Sequence, residues 1–292
     1  MTDLPCNLCG INDYTILFGP GVAQVNQIVK CNHCGLMYAN PRVRDVDQVM
    51  IKNFDPNWTL HHSQHRFEKE SLQIRDYQKT QEFLNKSYPN RGKLIEIGSG
   101  LGHLLNFFKQ DGWDVMGIEP LRGGCQFSES EFGIKAIPKT IEEAALDENS
   151  VDVVLMMHVI EHVPEPFSTF KEVYRILKPG GLFILETPRY DTLMFKLLGK
   201  RERSLSCDGH IYFFTTHTLK KMATNAAFTV PKVDYVGRSL TLDRLIWNVG
   251  VISKSDTVKQ TLKWISTKLR FNKIWLHLNV RDMQRMYLKK PV

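Results

Sequence analysis

The chain has 292 residues and a formal net charge of +7, with 42% hydrophobic and 24% charged residues. This composition is typical of a soluble globular protein, and the length allows one large domain with a small module. No apolar run approaches the roughly 18 residues needed to span a bilayer, and Met1 to Cys6 lack the features of a secretory signal. We therefore expect a cytoplasmic protein. The positive charge fits nucleic acid, phosphorylated metabolites or anionic lipid, and it does not choose among them.

Four of the six cysteines form two short pairs, Cys6 with Cys9 and Cys31 with Cys34, and a glycine follows each pair. The two-residue spacing lets both thiolates of a pair reach one ion, so that two pairs complete a tetrahedral shell of four thiolates around zinc. A closed shell of this kind is structural, and we expect no catalysis from it.

The segment that carries these pairs, residues 1–42, resembles a zinc ribbon and ends at a proline turn. His33 lies inside the second pair and is an alternative ligand, although four cysteines already suffice. The remaining cysteines, Cys125 and Cys207, stand alone and are interpreted as ordinary thiols.

A helix is predicted over residues 61–86, where apolar side chains recur at helical spacing. After it, a short apolar strand at residues 93–97 leads into three glycines at alternate positions, Gly98, Gly100 and Gly102, and an amphipathic helix follows. Glycines here let the backbone turn sharply and approach a ligand closely, and the helix N-terminus offers free N–H donors. Such a turn binds nucleotide-like cofactors at the carboxyl edge of a parallel sheet. The glycine spacing departs from that of dinucleotide-binding turns, which disfavours a pyrophosphate ligand.

Further short strands are predicted from apolar runs between turn signals. They cover residues 114–118, 134–137, 151–157 and 182–186. Glu119 follows the first of them, where a carboxylate accepts hydrogen bonds from ribose hydroxyls in doubly wound nucleotide sites. A helix begins at Pro166, a residue favoured at the first helical position. The alternation of strands and helices predicts a parallel sheet with helices on both faces.

The run from Glu96 to Gly102 resembles the first motif of class I S-adenosylmethionine-dependent methyltransferases. The run from Glu161 to Pro164 resembles the ubiquinone and menaquinone branch of that family, and the match spans residues 60 to 237 in the right order. The resemblance implies an α/β fold: a Rossmann-like seven-stranded sheet over residues 43–292, after the zinc ribbon. The residues it implies for holding S-adenosylmethionine are Glu96, Gly98, Ser99, Gly100, Gly102, Glu119, Pro120, Thr140, Ile141, Met157 and His158.

Residues 240–275 do not match the family core. Apolar residues recur there at helical spacing, with lysines and arginines off that stripe and tryptophans nearby. We predict a helical insertion that covers the substrate mouth, placed before a last strand at about residues 278–289. The alternative is a basic amphipathic surface that contacts an anionic membrane.

The candidate catalytic residues follow the fourth strand of the predicted sheet or lie in a later loop. They are His158, Glu161, His162 and His210. The resemblance places residues that face the transferred methyl group after this strand. Histidine suits a base that assists a hydroxyl nucleophile, because its pKa lies near neutrality. In the alternative interpretation, these side chains have no catalytic role and only hold the loop or pack beside it.

The spacing of His158, Glu161 and His162 also matches the inverted zinc-protease motif. Prolines directly after it disfavour the helix that this motif needs, so we reject a protease. Some relatives, including the ubiquinone O-methyltransferases, resemble Glu-x-x-Glu-His at this place and bind a divalent ion. This chain has His158 instead of the first glutamate, and a second divalent ion besides zinc remains an open alternative.

The sequence therefore predicts an S-adenosylmethionine-dependent methyltransferase of a small-molecule, saccharide or lipid-linked acceptor, with O-methylation favoured. One alternative is an RNA methyltransferase that uses the ribbon to bind nucleic acid. The ribbon lacks a basic cluster, and no base-methylation motif follows the fourth strand, so the nucleic-acid signal is weak. Another alternative is a cofactor-binding module without catalysis, which the intact glycine motif and Glu119 disfavour. Peripheral contact with the inner face of a membrane is a further expectation, and the oligomeric state is not predicted.

Overall fold

A computed structural model of the protein describes residues 2–20, 27–42, 74–202, 205, 209–243, 245–246 and 255–292. Two features interpreted from the sequence lie partly or wholly outside these described residues. Cys207 and the first part of the predicted helix at residues 61–86 lie outside the described residues. The end of that helix is present as α1 (Gln78–Ser87), which follows a 3-10 turn at Ile74–Tyr77.

Three antiparallel strands near the N-terminus form a small sheet: β1 (Tyr14–Phe18), β2 (Ile28–Cys31) and β3 (Met37–Ala39). The fourth strand of this sheet, β9 (Tyr212–Phe213), comes from much later in the chain and pairs with β3. The predicted zinc ribbon therefore shares its sheet with the second part of the chain, and the domain boundary at residue 42 stays a prediction.

A larger, seven-stranded sheet carries the rest of the fold. Its strands are β4 (Lys93–Ile97), β5 (Asp114–Ile118), β6 (Ala136–Ile137), β7 (Val151–Met157), β8 (Leu177–Pro188), β10 (Thr229–Thr241) and β11 (Trp275–Lys289). Their order is β10-β11-β8-β7-β4-β5-β6, with β4 to β8 parallel and β11 antiparallel to both of its neighbours. Because β5 and β6 extend the sheet on one side of β4, and β7 and β8 on the other, a crevice opens at the carboxyl ends between β4 and β7.

Helices cover both faces of this sheet. Besides α1 they are α2 (His103–Gln110), α3 (Arg122–Phe132), α4 (Pro166–Ile176) and α6 (Thr216–Asn225). Two further helices, α5 (Leu193–Leu198) and α7 (Asp256–Lys268), lie outside the two cores that line the sheet. Strand β7 shows how the faces arise, since successive side chains of a strand point to opposite sides. Val154 packs into a core with α4, α6 and the ribbon, whereas Val153 packs into a second core with α1 and α2.

This architecture confirms the predicted seven-stranded Rossmann-like fold with a helix, α7, inserted before the last strand. Strands β4, β5 and β7 have the predicted bounds, but the strand predicted at residues 134–137 begins two residues later. The reason is local. Gly133 takes a left-handed conformation at the end of α3, and the N–H of Ile134 donates to the carbonyl of Ser128.

Two other strands are longer than predicted. Strand β8 starts at Leu177 rather than residue 182, because Gly180 and Gly181 form an irregularity within the strand. Strand β11 starts at Trp275, where it still pairs with Thr241 of β10. Within the described residues, none of the helices has the length and apolar character required to cross a membrane.

Candidate functional site

The turn between β4 and α2 has the open backbone that the glycine pattern predicts. Gly98, Gly100 and Gly102 all have positive φ angles, of 72°, 53° and 83°. A Cβ atom at Gly98 would lie 2.3 Å from the Val159 side chain, and one at Gly102 would lie 2.3 Å from Ser128. A Cβ at Gly100 would meet nothing within 4 Å. The outer glycines therefore serve packing, and the middle one faces open space at the switch point of the sheet.

Glu119 contacts this turn directly. Its carboxylate accepts a hydrogen bond from the N–H of Gly100 at 2.8 Å and another from the N–H of Leu121 at 2.9 Å. The side chain is buried at the carboxyl end of β5. The carboxylate predicted to bind ribose hydroxyls thus lies against the glycine that faces open space.

The other predicted cofactor residues lie on four neighbouring strands of the sheet or directly after them. Glu96 is buried within β4, and Ser99 is buried in the turn that follows it. Met157 ends β7. Pro120 follows Glu119, and Thr140 and Ile141 lie in the loop after β6. Their roles toward the cofactor stay predictions.

The loop after β7, residues 158–165, carries three of the candidate catalytic residues, and the fourth, His210, lies close to them. His158 has a φ of 58°, unusual for a residue with a side chain, and its Nε2 lies 3.1 Å from Oε1 of Glu186. Glu161 is almost fully buried and accepts a hydrogen bond from the Thr187 hydroxyl at 2.9 Å. Its Oε1 lies 3.9 Å from Nδ1 of His158 and 3.9 Å from Nε2 of His210.

His162 and His210 complete the cluster. Their ring centroids are 4.7 Å apart in an edge-to-face arrangement, and Nδ1 of His210 lies 3.5 Å from the Tyr190 hydroxyl. One ligand atom from each of Glu161, His162 and His210 lies within 4.8 Å of the others. The structure therefore groups the four predicted residues, with His158 the most exposed of the ionisable side chains that surround Glu161.

A buried ion pair behind His158 was not predicted from the sequence. Arg285 on β11 is 2% exposed and donates from Nε to Oε2 of Glu186 at 2.7 Å, and its Nη1 donates to Thr80 at the same distance. Burial alone would raise the pKa of Glu186, but Arg285 and His158 outweigh it and lower this pKa to about 2. Glu186 is therefore ionised at neutral pH and holds the His158 ring. The signal in the sequence is an acidic residue, Glu186, at the end of the apolar run at residues 182–185.

The four N-terminal cysteines converge on one point. The Sγ atoms of Cys6 and Cys34 lie 3.4 Å apart, those of Cys9 and Cys31 lie 3.5 Å apart, and all four lie within 4.8 Å of one another. A tetrahedral zinc with bonds of about 2.3 Å requires sulfur separations of roughly 3.8 Å. The contact between Cys6 and Cys34 lowers the pKa of the Cys34 thiol and raises that of Cys6, and a bound metal would deprotonate both thiols. This donor set fits a structural zinc.

His33, considered above as an alternative zinc ligand, and Cys125, interpreted as an ordinary thiol, both lie away from the point where the four cysteines converge. The His33 ring is half exposed and pairs with Asp13 at 3.1 Å, so the four cysteines need no replacement. Cys125 is buried on α3 and donates its S–H to the carbonyl of Glu119.

A family model described as a methyltransferase domain matches residues 63–233, more than half of the chain. The chain belongs to this methyltransferase family. The matched range covers the glycine turn, Glu119 and the candidate catalytic residues, and it begins after the cysteine cluster. The resemblance to S-adenosylmethionine-dependent methyltransferases drawn from the motifs is thereby confirmed.

Similar curated proteins carry the name ubiquinone biosynthesis O-methyltransferase. The one from Psychrobacter arcticus is 31% identical to this methyltransferase over 161 residues, which are 50% of this chain and 61% of that protein. The one from Pseudomonas fluorescens is 34% identical over 102 residues, or 32% of this chain and 44% of that protein. The alignments thus span less than two thirds of those relatives.

Solved structures show the same fold at low sequence identity. An S-adenosylmethionine-dependent methyltransferase from Archaeoglobus fulgidus has a TM-score of 0.54 and 19% identity, covering 80% of this chain and 99% of its own. Another from Thermotoga maritima has a TM-score of 0.50 and 20% identity, covering 81% of this chain and all of its own. At these identities the similarity supports the fold alone.

Proposed function

We propose that this methyltransferase moves a methyl group from S-adenosylmethionine to a hydroxyl oxygen of a small-molecule, saccharide or lipid-linked acceptor. One observation carries the proposal. The open space over Gly100, next to the Glu119 carboxylate, opens at the same sheet edge as the histidine cluster after β7. A cofactor and an acceptor that meet at this edge would be held in attack geometry, which is the main contribution a protein makes to such a displacement.

In this proposal, Glu119 binds the ribose hydroxyls and the glycine turn accommodates the amino-acid part of the cofactor. Thr140 and Ile141 border the adenine, and Met157 lies at the end of the strand that leads to the catalytic loop. When bound, S-adenosylmethionine supplies an electrophilic methyl carbon. The chain itself supplies orientation and a route for the acceptor's proton.

His158 is the best-placed base. It is 40% exposed, so an acceptor hydroxyl can reach it, whereas His210 is buried. The imidazole would take the hydroxyl proton while the oxygen forms its bond to the methyl carbon and the bond between that carbon and the cofactor's sulfur breaks. The ionised Glu186 stabilises the protonated ring through its contact with Nε2, and Arg285 keeps Glu186 ionised. The names of the relatives above, which are O-methyltransferases, support oxygen as the nucleophile.

The second candidate mechanism uses a divalent ion bound by Glu161, His162 and His210 to activate the acceptor. One carboxylate and two imidazoles at mutual distances within 4.8 Å suit manganese, iron or zinc better than magnesium. An ion there would orient the acceptor oxygen and lower the pKa of its hydroxyl. Chelation would then inhibit methyl transfer, and an added divalent ion would restore it without replacing the zinc at the cysteines.

We further propose that the protein binds to an anionic membrane surface and reaches a lipid-linked acceptor there. Leu193 and Leu197 of α5 are 71% and 72% exposed, and Lys196 and Lys200 lie beside them. On the predicted insertion, α7 presents Trp264 to solvent with basic residues nearby. Exposed apolar side chains flanked by lysines are typical of surfaces that lie on anionic lipid.

A deletion strain tests the proposed reaction. Its metabolites and lipids, compared with those of the parent, should include a compound that lacks one methyl group. Complementation with the wild-type gene should restore the methylated compound, and complementation with His158→Ala should not. If the difference instead appeared as an unmethylated nucleoside in RNA, the RNA methyltransferase alternative would be correct. If no methylated compound changed, the chain would be a cofactor-binding module without catalysis.

A further inference from the structure

The first cysteine pair contacts the start of α4 through the side chain between its cysteines. Asn7 lies between Cys6 and Cys9, and its Oδ1 accepts a hydrogen bond from the N–H of Phe167 at 2.8 Å. Its Nδ2 donates to the Glu165 carboxylate. The first N–H groups of a helix lack partners within the helix, and Glu165 at the N-cap provides no side-chain cap. Asn7 therefore supplies, from the ribbon, the cap that α4 lacks locally.

The end of the ribbon contacts the same loop from another side. Arg42 is buried, and its Nη2 donates to the carbonyl of Pro164 at 2.8 Å and to the Tyr212 hydroxyl at 2.9 Å. That hydroxyl also donates to the carbonyl of Pro164, at 3.0 Å. The guanidinium lies 4.8 Å from the centre of the Tyr212 ring. Two donors thus hold one carbonyl just before α4.

Strand β9 connects the ribbon sheet to the catalytic cluster. The N–H of Ala39 on β3 donates to the carbonyl of Ile211 at 2.8 Å. The N–H groups of Ile211 and Tyr212 in turn donate to the carbonyl of Glu161, at 2.9 and 3.1 Å. His210 immediately precedes these residues in the chain. The ribbon therefore reaches both segments that carry the candidate catalytic side chains.

We propose that the zinc ribbon is the positioning element of the catalytic loop, residues 158–165, and that Asn7 and Arg42 are its positioning residues. The loop contains no helix or strand, so its conformation depends on groups outside it. The cysteine shell fixes the backbone that carries Asn7, and the ribbon sheet fixes Arg42 and β9. The catalytic meaning of this arrangement rests on the proposed function, whereas the positioning itself can be tested without an acceptor.

The second cysteine pair offers a matched control. Asn32 occupies the position in that pair that Asn7 occupies in the first. Its side chain accepts a hydrogen bond from Thr15 and donates to Asp13, each at 2.8 Å, and these partners belong to the ribbon. Asn7→Leu removes the contacts with the catalytic part of the chain, and Asn32→Leu removes contacts within the ribbon. Asn7→Asp keeps the oxygen that caps α4 but places a carboxylate against Glu165, so it is combined with Glu165→Gln, whose amide can donate to the new carboxylate.

The experiment uses the full zinc-loaded chain with histidines labelled with ¹³C and ¹⁵N. Hydrogen exchange reports the Phe167 amide, and the ring signals of His162 and His210 report the cluster. In Asn7→Leu, loss of the cap should speed exchange of the Phe167 amide about fivefold and shift both ring signals, with zinc content unchanged. The double variant Asn7→Asp/Glu165→Gln should restore the wild-type ring signals, and Asn32→Leu should leave them unchanged.

Wild-type protection and ring signals in Asn7→Leu would overturn the inference, and so would equal changes in both leucine variants. If Asn7→Leu loses zinc, Arg42→Met gives the same test from the other end of the ribbon, with the same ring signals expected to shift. Because neither readout needs catalysis, a wild-type chain that transfers no methyl group would remove the proposed function and leave the positioning intact. Unchanged ring signals would remove the positioning alone.

Discussion

Replacing Glu186 by Gln should destabilise the protein strongly and in a pH-dependent way. Folding lowers the pKa of this buried carboxyl from its ordinary value of 4.5 to about 2. At about 1.36 kcal/mol per pKa unit, the ionised side chain contributes about 3 kcal/mol to the free energy of unfolding at neutral pH. Measured losses on breaking buried pairs, which include leaving a group such as the Arg285 guanidinium without its carboxylate, are of the same order, roughly 3–5 kcal/mol.

The sign of the pH dependence follows from the direction of the shift. A lowered pKa in the folded state means that the contribution is complete above about pH 4.5 and declines as the pH falls toward 2. Urea unfolding of wild type and Glu186→Gln should therefore differ by about 3 kcal/mol at pH 7 and by about 2 kcal/mol less at pH 3. The control is Glu172→Gln, which breaks a more exposed pair with Arg175 and should cost less than about 1 kcal/mol. Equal, pH-independent losses in the two variants would refute the reasoning.

Three further predictions concern zinc, the proposed base and the membrane surface. Elemental analysis should find about one zinc per chain; Cys9→Ser should lose it and Cys125→Ser should keep it, and full zinc in Cys9→Ser would contradict the four-thiolate site. His158→Ala should lower methyl transfer by roughly 10²–10⁴-fold with S-adenosylmethionine affinity nearly unchanged, whereas a wild-type rate would exclude His158 as the base. Vesicles of phosphatidylglycerol should sediment the wild-type chain more than phosphatidylcholine vesicles do, and Leu197→Glu should weaken that binding; equal binding to both vesicle types would argue against an anionic membrane surface.

The parallel core of the fold was predictable because buried parallel strands are short continuous apolar runs. Strands β4, β5 and β7 have this pattern, and polar residues or glycine follow their carboxyl ends: Gly98, Glu119 and His158. Strand β6 was harder, since the apolar residue Ile134 follows the left-handed end of α3 but lies two positions before the strand begins. The bounds of β8 and β11 were missed because strand pairing, not apolar content, extends them: Leu177 of β8 pairs with Val151 of β7, and Trp275 of β11 pairs with Thr241 of β10.

The candidate site was likewise only partly predictable from the sequence. The glycine turn and Glu119 follow from local geometry, and the histidines after β7 follow from their place at the carboxyl edge. The partners of these residues come from distant positions: Glu186 meets Arg285 across β8 and β11, and Tyr212 meets Arg42, which lies 170 residues earlier. No local pattern encodes such contacts, because they depend on which strands become neighbours.

Calorimetric titration with S-adenosylmethionine tests the central assignment most directly. Wild type should bind it with a micromolar dissociation constant, roughly −8 kcal/mol, and Gly100→Val should abolish binding by filling the open space beside Glu119. Gly199→Val is the matched control, because Gly199 has a similar positive φ of 51° and open surroundings at the end of α5. This control should bind like wild type. Unchanged binding in Gly100→Val, or tight binding of a nicotinamide dinucleotide in place of S-adenosylmethionine, would contradict the assignment.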